Sequence, residues 1–269
     1  MIKEVRNTIV AAAAAASLAA CATTQSAAPV ARIPEAQAVK NIVLVHGAFA
    51  DGSGWRGVYD DLTARGYRVT IVQNPLTSLA DDVAATRRIL ARQNGPSILV
   101  GHSYGGVVIT EAGDDPRVAG LVYVSAFAPD VGQSTGQLLG ELPPPPEFVV
   151  DPQADGYGFI NLEKFKAAFA ADTSDADAAF LRDSQVPIAL ANFGTPVAHA
   201  AWRTKPSWAV IASQDHAITP VLLRRMAERI HATVVEVEAS HVLFVTQPRV
   251  VADVIDRAAR ATSQTAETR

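Results

Sequence analysis

Six short apolar runs recur along the chain: Asn41–Val45, Arg68–Val72, Ser97–Val100, Ala119–Val124, Ser207–Ala212 and Thr233–Val237. They are rich in β-branched residues and nearly continuous rather than alternating, as strands covered on both faces must be. Between them, Trp55–Arg65, Ser78–Gln93 and Pro220–Ile230 read as helices, and Pro248–Arg260 reads as a last one. Ser78-Leu79-Ala80-Asp81 is a capping-box-like start, and Thr219 before Pro220 pairs a cap with a proline at the first helical position. Strands alternating with helices build βαβ units, so the expected fold is α/β, a mostly parallel sheet with helices on both faces. A chain of 269 residues, 49% hydrophobic and 19% charged, can bury the core that such a sheet needs.

The rhythm fails between Ala119–Val124 and Ser207–Ala212, where about eighty residues contain no good strand. Pro143–Pro146 is stiff and favours an extended polyproline form. Helical patterns follow at Asn161–Ala171 and Ser174–Arg182, the latter with a capping signature at Ser174. An insertion here stands over the carboxyl ends of the strands, so residues 129–203 are expected to form a lid on a core made of residues 39–128 and 204–262. Its aromatics Phe159, Phe165, Phe169, Phe180, Phe193 and Trp202 either roof an apolar substrate pocket or fill a small core of the lid itself.

Directly after the third apolar run comes Gly101-His102-Ser103-Tyr104-Gly105. A serine hydroxyl is a weak nucleophile, and a fold that uses one must expose it and place a base beside it. A sharp strand-to-helix turn exposes it, and glycines two residues to either side remove the side chains that would collide there. Such an elbow needs a base, an orienting acid and donors for a developing oxyanion, in the chain order serine, acid, histidine. His241, in Ala239-Ser240-His241-Val242, is the only histidine after the last strand and is the candidate base. Asp215, three residues past the strand Ser207–Ala212, is the candidate acid; Asp130, after the preceding strand, is its rival. His46 and His102 sit at strand ends and are expected to bond backbone. The backbone N–H groups of Tyr104 and Ala48 are the candidate oxyanion donors.

Taken together, His46-Gly47-Ala48 with Trp55, Gly101–Gly106, Asp215 and Ser240-His241 resemble the α/β-hydrolase superfamily. They are similar in particular to its small esterase branch, which includes plant methylesterases and hydroxynitrile lyases, and the likeness spans about Val39 to Arg260. The resemblance implies hydrolysis of a small-molecule carboxylic ester through an acyl-enzyme, with Ser103, His241 and Asp215 as the triad and no cofactor. Lyases of this branch tend to carry threonine and lysine where Gly47 and Val242 stand here, which weighs against lysis of a non-ester substrate, the alternative on this scaffold. Ser103 in place of an aspartate argues against dehalogenase chemistry. A ligand-binding protein that only keeps the fold is a third reading, because fold alone never proves activity.

A formal charge of −4 and no basic stripe interleaved with aromatics argue against a nucleic-acid partner. The six histidines are scattered, and with a single cysteine nothing has metal-ligand spacing. That cysteine closes a patterned N-terminus: Lys3 and Arg6, then an uncharged stretch Thr8–Ala20, then Leu18-Ala19-Ala20-Cys21. A span needs about 20 apolar residues, so residues 1–20 read as a signal peptide. The Leu-Ala-Ala-Cys ending resembles the bacterial lipoprotein signal, which implies lipidation of Cys21 and a membrane anchor, with Ala22 favouring the outer membrane. Cleavage to a soluble periplasmic protein and an alanine-rich cytosolic helix are the alternatives. Residues 21–38, polar and broken by Pro29 and Pro34, read as a flexible tether.

Overall fold

The structure, a computed structural model, describes residues 39–267. The expected signal segment, lipidation at Cys21 and tether lie outside the described residues.

Strand β1 (Asn41–Val45) leads through helix α1 (Arg56–Ala64) to β2 (Arg68–Val72), and α2 (Leu79–Leu90) returns the chain to β3 (Ser97–His102). Helix α3 (Gly105–Ala112) then connects to β4 (Val118–Val124). After an insertion come β8 (Ser207–Ala212), α7 (Pro220–Arg229), β9 (Thr233–Val237), α8 (Leu243–Thr246) and α9 (Pro248–Glu267). The six strands form one sheet in the order β2-β1-β3-β4-β8-β9, and every neighbouring pair is parallel. All residues of β1, β3 and β8 are buried, whereas the edge strands β2 and β9 are partly exposed. Continuous apolar strands therefore occupy the centre, with helices on both sides: α1 packs with α8 and α9, and α2 packs with α3. This is the expected α/β fold.

Helix starts follow local chemistry. The Ser78 hydroxyl accepts the Asp81 N–H at 3.0 Å, and Thr219 caps α7 one residue before Pro220.

The insertion departs from expectation. It contains α4 (Thr135–Leu139), β5 (Val150–Pro152), β6 (Tyr157–Ile160), α5 (Phe165–Phe169), α6 (Asp175–Asp183) and β7 (Ile188–Ala189). Its three strands form a separate antiparallel sheet, β5-β6-β7, in a stretch expected to hold none. Strands of 3, 4 and 2 residues, one ending on Pro152 and another holding Gly158, are too short for a period of two to register. Helix α5 is shorter than the pattern at Asn161–Ala171 suggested; α6 starts from its Ser174 cap as expected.

Candidate active site

From β1 the chain crosses to β2 on one side of the sheet, and from β3 it crosses to β4 on the other. Loops leaving the carboxyl ends of β1 and β3 diverge, and the crevice between them is where open α/β sheets bind ligands. The loop starting at His46 and the turn at Ser103 both stand there.

Ser103 has φ +53°, the left-handed region. For a residue with a side chain this costs about 1–3 kcal/mol and lasts only where the surroundings enforce it. Here the Ser103 N–H donates to the Val124 carbonyl at 3.3 Å, and the Ser103 carbonyl accepts the N–H groups of Gly106 at 2.9 Å and Phe127 at 3.1 Å. Two glycines permit the approach: a Cβ on Gly101 would lie 2.5 Å from the Gly105 oxygen, and one on Gly47 would lie 2.8 Å from Ser103 Cβ.

His241 lies on the loop between β9 and α8. Its Nδ1 is 2.7 Å from Asp215 Oδ2, and neither side chain has exposed surface. The other oxygen, Asp215 Oδ1, accepts the Ala217 and Ile218 N–H groups, each at 2.8 Å. The carboxylate is thus locked at both oxygens. Because Asp215 accepts, Nδ1 carries the proton and a neutral ring keeps its lone pair on Nε2. Nε2 is buried and makes no hydrogen bond among the described residues. With Nδ1–H held by Asp215, Nε2 is the ring atom left to accept a proton.

The ring of His241 packs against both His102 and Phe169, with centroids 4.6 and 4.7 Å away. His102 Nε2–H donates to the His241 carbonyl at 3.0 Å, tying the elbow to the histidine loop. Burial, then the neighbouring His241, hold the His102 pKa well below its ordinary value, so the ring is a neutral donor. His46 is also neutral: burial lowers its pKa, its Nδ1–H donates to the Gly47 carbonyl, and its Nε2 accepts the Asn74 N–H. Asp130 stands elsewhere. Arg203 grips both its oxygens, at 2.8 and 2.7 Å, and holds its carboxyl below the usual range.

Ser103 opens into a narrow apolar cavity. Ala48, Phe49, Tyr104, Phe127 and Ile218 line it from the sheet side, and Leu139, Phe148, Phe169 and Phe193 line it from the insertion. No charged side chain faces this space. In this conformation it is closed down to about the room of one water. Of the aromatics singled out from sequence, Phe169 and Phe193 line this cavity and Phe165 lines a second one beside Val242 and Phe244. Phe180 instead is 59% exposed, and Trp202 donates its indole N–H to the Pro129 carbonyl. A wider surface groove between α2 and residues 195–198 contains none of these groups.

Sequence reasoning missed several residues. Phe49, with φ +60°, meets Phe148 and Phe193 of the insertion at 6.4 and 6.3 Å. Asp172, just past α5, accepts hydrogen bonds from Ser240 and Thr246 on either side of the His241 loop. Asp82 in α2 is fully buried, and burial pushes its carboxyl up to about 6. A signal existed for Asp82: it falls on the apolar face shared by Leu79, Val83, Thr86 and Leu90.

Known proteins share this framework. A profile of the alpha/beta hydrolase family matches residues 42–254. A pyrethroid hydrolase from Sphingobium wenxiniae is 30% identical over 247 residues, covering 81% of this chain and 86% of that protein. The crystal structure of a pyrethroid hydrolase from Sphingobium faniae superposes with a TM-score of 0.72 at 25% identity, over 84% of this chain and 99% of that one. Polyneuridine aldehyde esterase, 18% identical, has the same fold, with a TM-score of 0.71 over 81% of this chain and 98% of its own. With that match across the sheet and its crevice, the chain belongs to the alpha/beta hydrolase family, in the branch of its carboxylic-ester hydrolases.

Proposed function

We propose that the enzyme cleaves esters whose acid and alcohol parts are both apolar, through an acyl-enzyme formed on Ser103. The buried His241–Asp215 pair carries this reading, because it leaves Nε2 as an unpartnered proton acceptor on the loop that His102 ties to the elbow. Ser103 Oγ attacks the ester carbonyl carbon while His241 Nε2 takes the hydroxyl proton. Asp215 keeps the imidazole oriented and stabilises the imidazolium. The backbone N–H groups of Ala48 and Tyr104 receive the negative charge that develops on the carbonyl oxygen, a donor of this kind contributing about 3 kcal/mol. His241 then returns its proton to the departing alcohol, and the acyl group stays on Ser103. In the second half a water gives its proton to Nε2 and attacks the acyl carbon; the Ser103–acyl bond then breaks, Nε2 returns that proton to Ser103 Oγ, and the carboxylic acid departs.

The uncharged lining of the cavity at Ser103 supports an apolar substrate, and residues 129–203 act as the lid that covers it. Pyrethroid esters belong in the first substrate screen, since a relative is a pyrethroid hydrolase. Ser103→Ala should lower kcat on a chromogenic ester by roughly four orders of magnitude or more and abolish labelling by a serine-directed phosphonate; retained turnover would refute the mechanism.

The N-terminal pattern supports export and anchoring through a lipid on Cys21, at the outer membrane of the cell envelope. Cys21→Ser should then remove the protein from the outer-membrane fraction and leave precursor of unprocessed size. Unchanged fractionation and size would remove the anchor.

A further inference from the structure

Asp82 has no exposed surface, so it is buried as deeply as any carboxylate among the described residues, yet the chemistry above does not use it. A carboxylate on the apolar face of a helix needs donors, and here they come from two separate segments. Oδ1 accepts the Leu76 N–H at 2.8 Å. Oδ2 accepts the Tyr104 hydroxyl at 3.0 Å. Tyr104 follows Ser103 directly, and its side chain is wholly buried. The same cluster reaches the insertion through the Leu76 carbonyl, which accepts the Ala189 N–H at 2.9 Å and the Asn192 Nδ2–H at 3.4 Å. Leu76 itself is held at φ +58°.

We propose that Asp82 is a positioning residue for ester hydrolysis, holding Tyr104 by its hydroxyl so that the Tyr104 backbone N–H points at the developing oxyanion. The inference rests on the serine mechanism proposed above. Tyr104 is fixed at both ends, by the elbow's backbone bonds and by Asp82 at the far end of the ring. That leaves the peptide between Ser103 and Tyr104 no freedom to tilt. A hydrophobic residue at 82 would fill the space without specifying that orientation. Donor geometry matters far more in the transition state than in the ground state. The effect of the contact therefore belongs in kcat rather than in KM.

The test uses the full chain with Tyr104→Phe, Asp82→Asn and the double variant, each assayed on a short chromogenic ester and for the rate of phosphonate labelling. Tyr104→Phe keeps the ring and removes only the hydroxyl, so it decides the matter even if Asp82→Asn folds poorly. Each single variant should lower kcat by about tenfold, a fraction of the roughly 100- to 1000-fold lost with a whole donor. KM should stay within about twofold, labelling should slow in parallel with kcat, and the double variant should be no worse than either single one. Unchanged kcat in Tyr104→Phe would overturn the proposal, as would a loss confined to KM or losses that multiply in the double variant. Ser103→Ala separates the two readings. Activity retained there defeats the serine mechanism, whereas an inactive Ser103→Ala beside a fully active Tyr104→Phe defeats the role of Asp82 alone.

Discussion

Asp82 is costly where it sits. Burial raises its pKa from 3.8 to about 6, with the nearby Asp81 adding to the rise. A carboxyl whose folded pKa lies above its unfolded value binds more protons in the native chain, so it favours folding below about pH 4 and loses that contribution as pH climbs through about 6. At about 1.4 kcal/mol per pH unit the difference approaches about 3 kcal/mol. Asp82→Asn should therefore gain stability relative to the parent chain as pH rises from 4 to 7, by up to that amount. Urea unfolding of both proteins across that range checks it, and a gap that does not change with pH contradicts it. Keeping an acid at this cost is consistent with a task other than stability. Asp82 was hard to read from sequence because two acids in the first turn of a helix already have an explanation in capping and the helix dipole. Ser103 and His241 stood out as candidates for the opposite reason: an elbow with glycines at fixed offsets and a histidine after the last strand match few other patterns. For the acid, sequence left Asp215 and Asp130 both open. Three-dimensional neighbours separate them, His241 and two backbone N–H groups for one and Arg203 for the other.

At the scale of elements, the central strands announce themselves because both faces are covered and apolar residues run on without interruption. The insertion does not, since its short strands pair with each other rather than with the main sheet, and no local pattern records a partner 6 to 32 residues away. Beside the buried Phe165, Phe169 and Ile188, its docking includes Asp172, which takes the Thr246 hydroxyl at 2.8 Å and the Ser240 hydroxyl beside His241. Removing both bonds in Asp172→Ala should cost about 2 kcal/mol, since a hydrogen bond to a charged group contributes about 1.5–3 kcal/mol where it is shielded, as at Ser240, and less where it is exposed, as at Thr246. Proteolytic cutting within the insertion should become several-fold faster. If the cutting rate does not change, Asp172 does not fasten the insertion.

Across the whole molecule, the parallel sheet brings chemistry from distant stretches to one edge: residues 46–49 after β1, 103–104 after β3, 215 after β8 and 241 after β9. No described helix is long and apolar enough to cross a membrane, and with Cys21 as the sole cysteine no disulfide within the chain holds this arrangement. The cavity beside Ser103 has a kinetic corollary. The room beside Ser103 is smaller than an ester, so on the lid reading proposed above the phenylalanines of the insertion must part from Phe49 to admit one and to release its acid. Each catalytic cycle then includes two excursions of a bulky segment through solvent, and for large esters these set the pace. Turnover of such substrates should slow in near-inverse proportion as sucrose thickens the medium, while small, quickly admitted esters show a weaker dependence. Friction, rather than bond breaking, would then govern how fast this enzyme works on the molecules that fill it best.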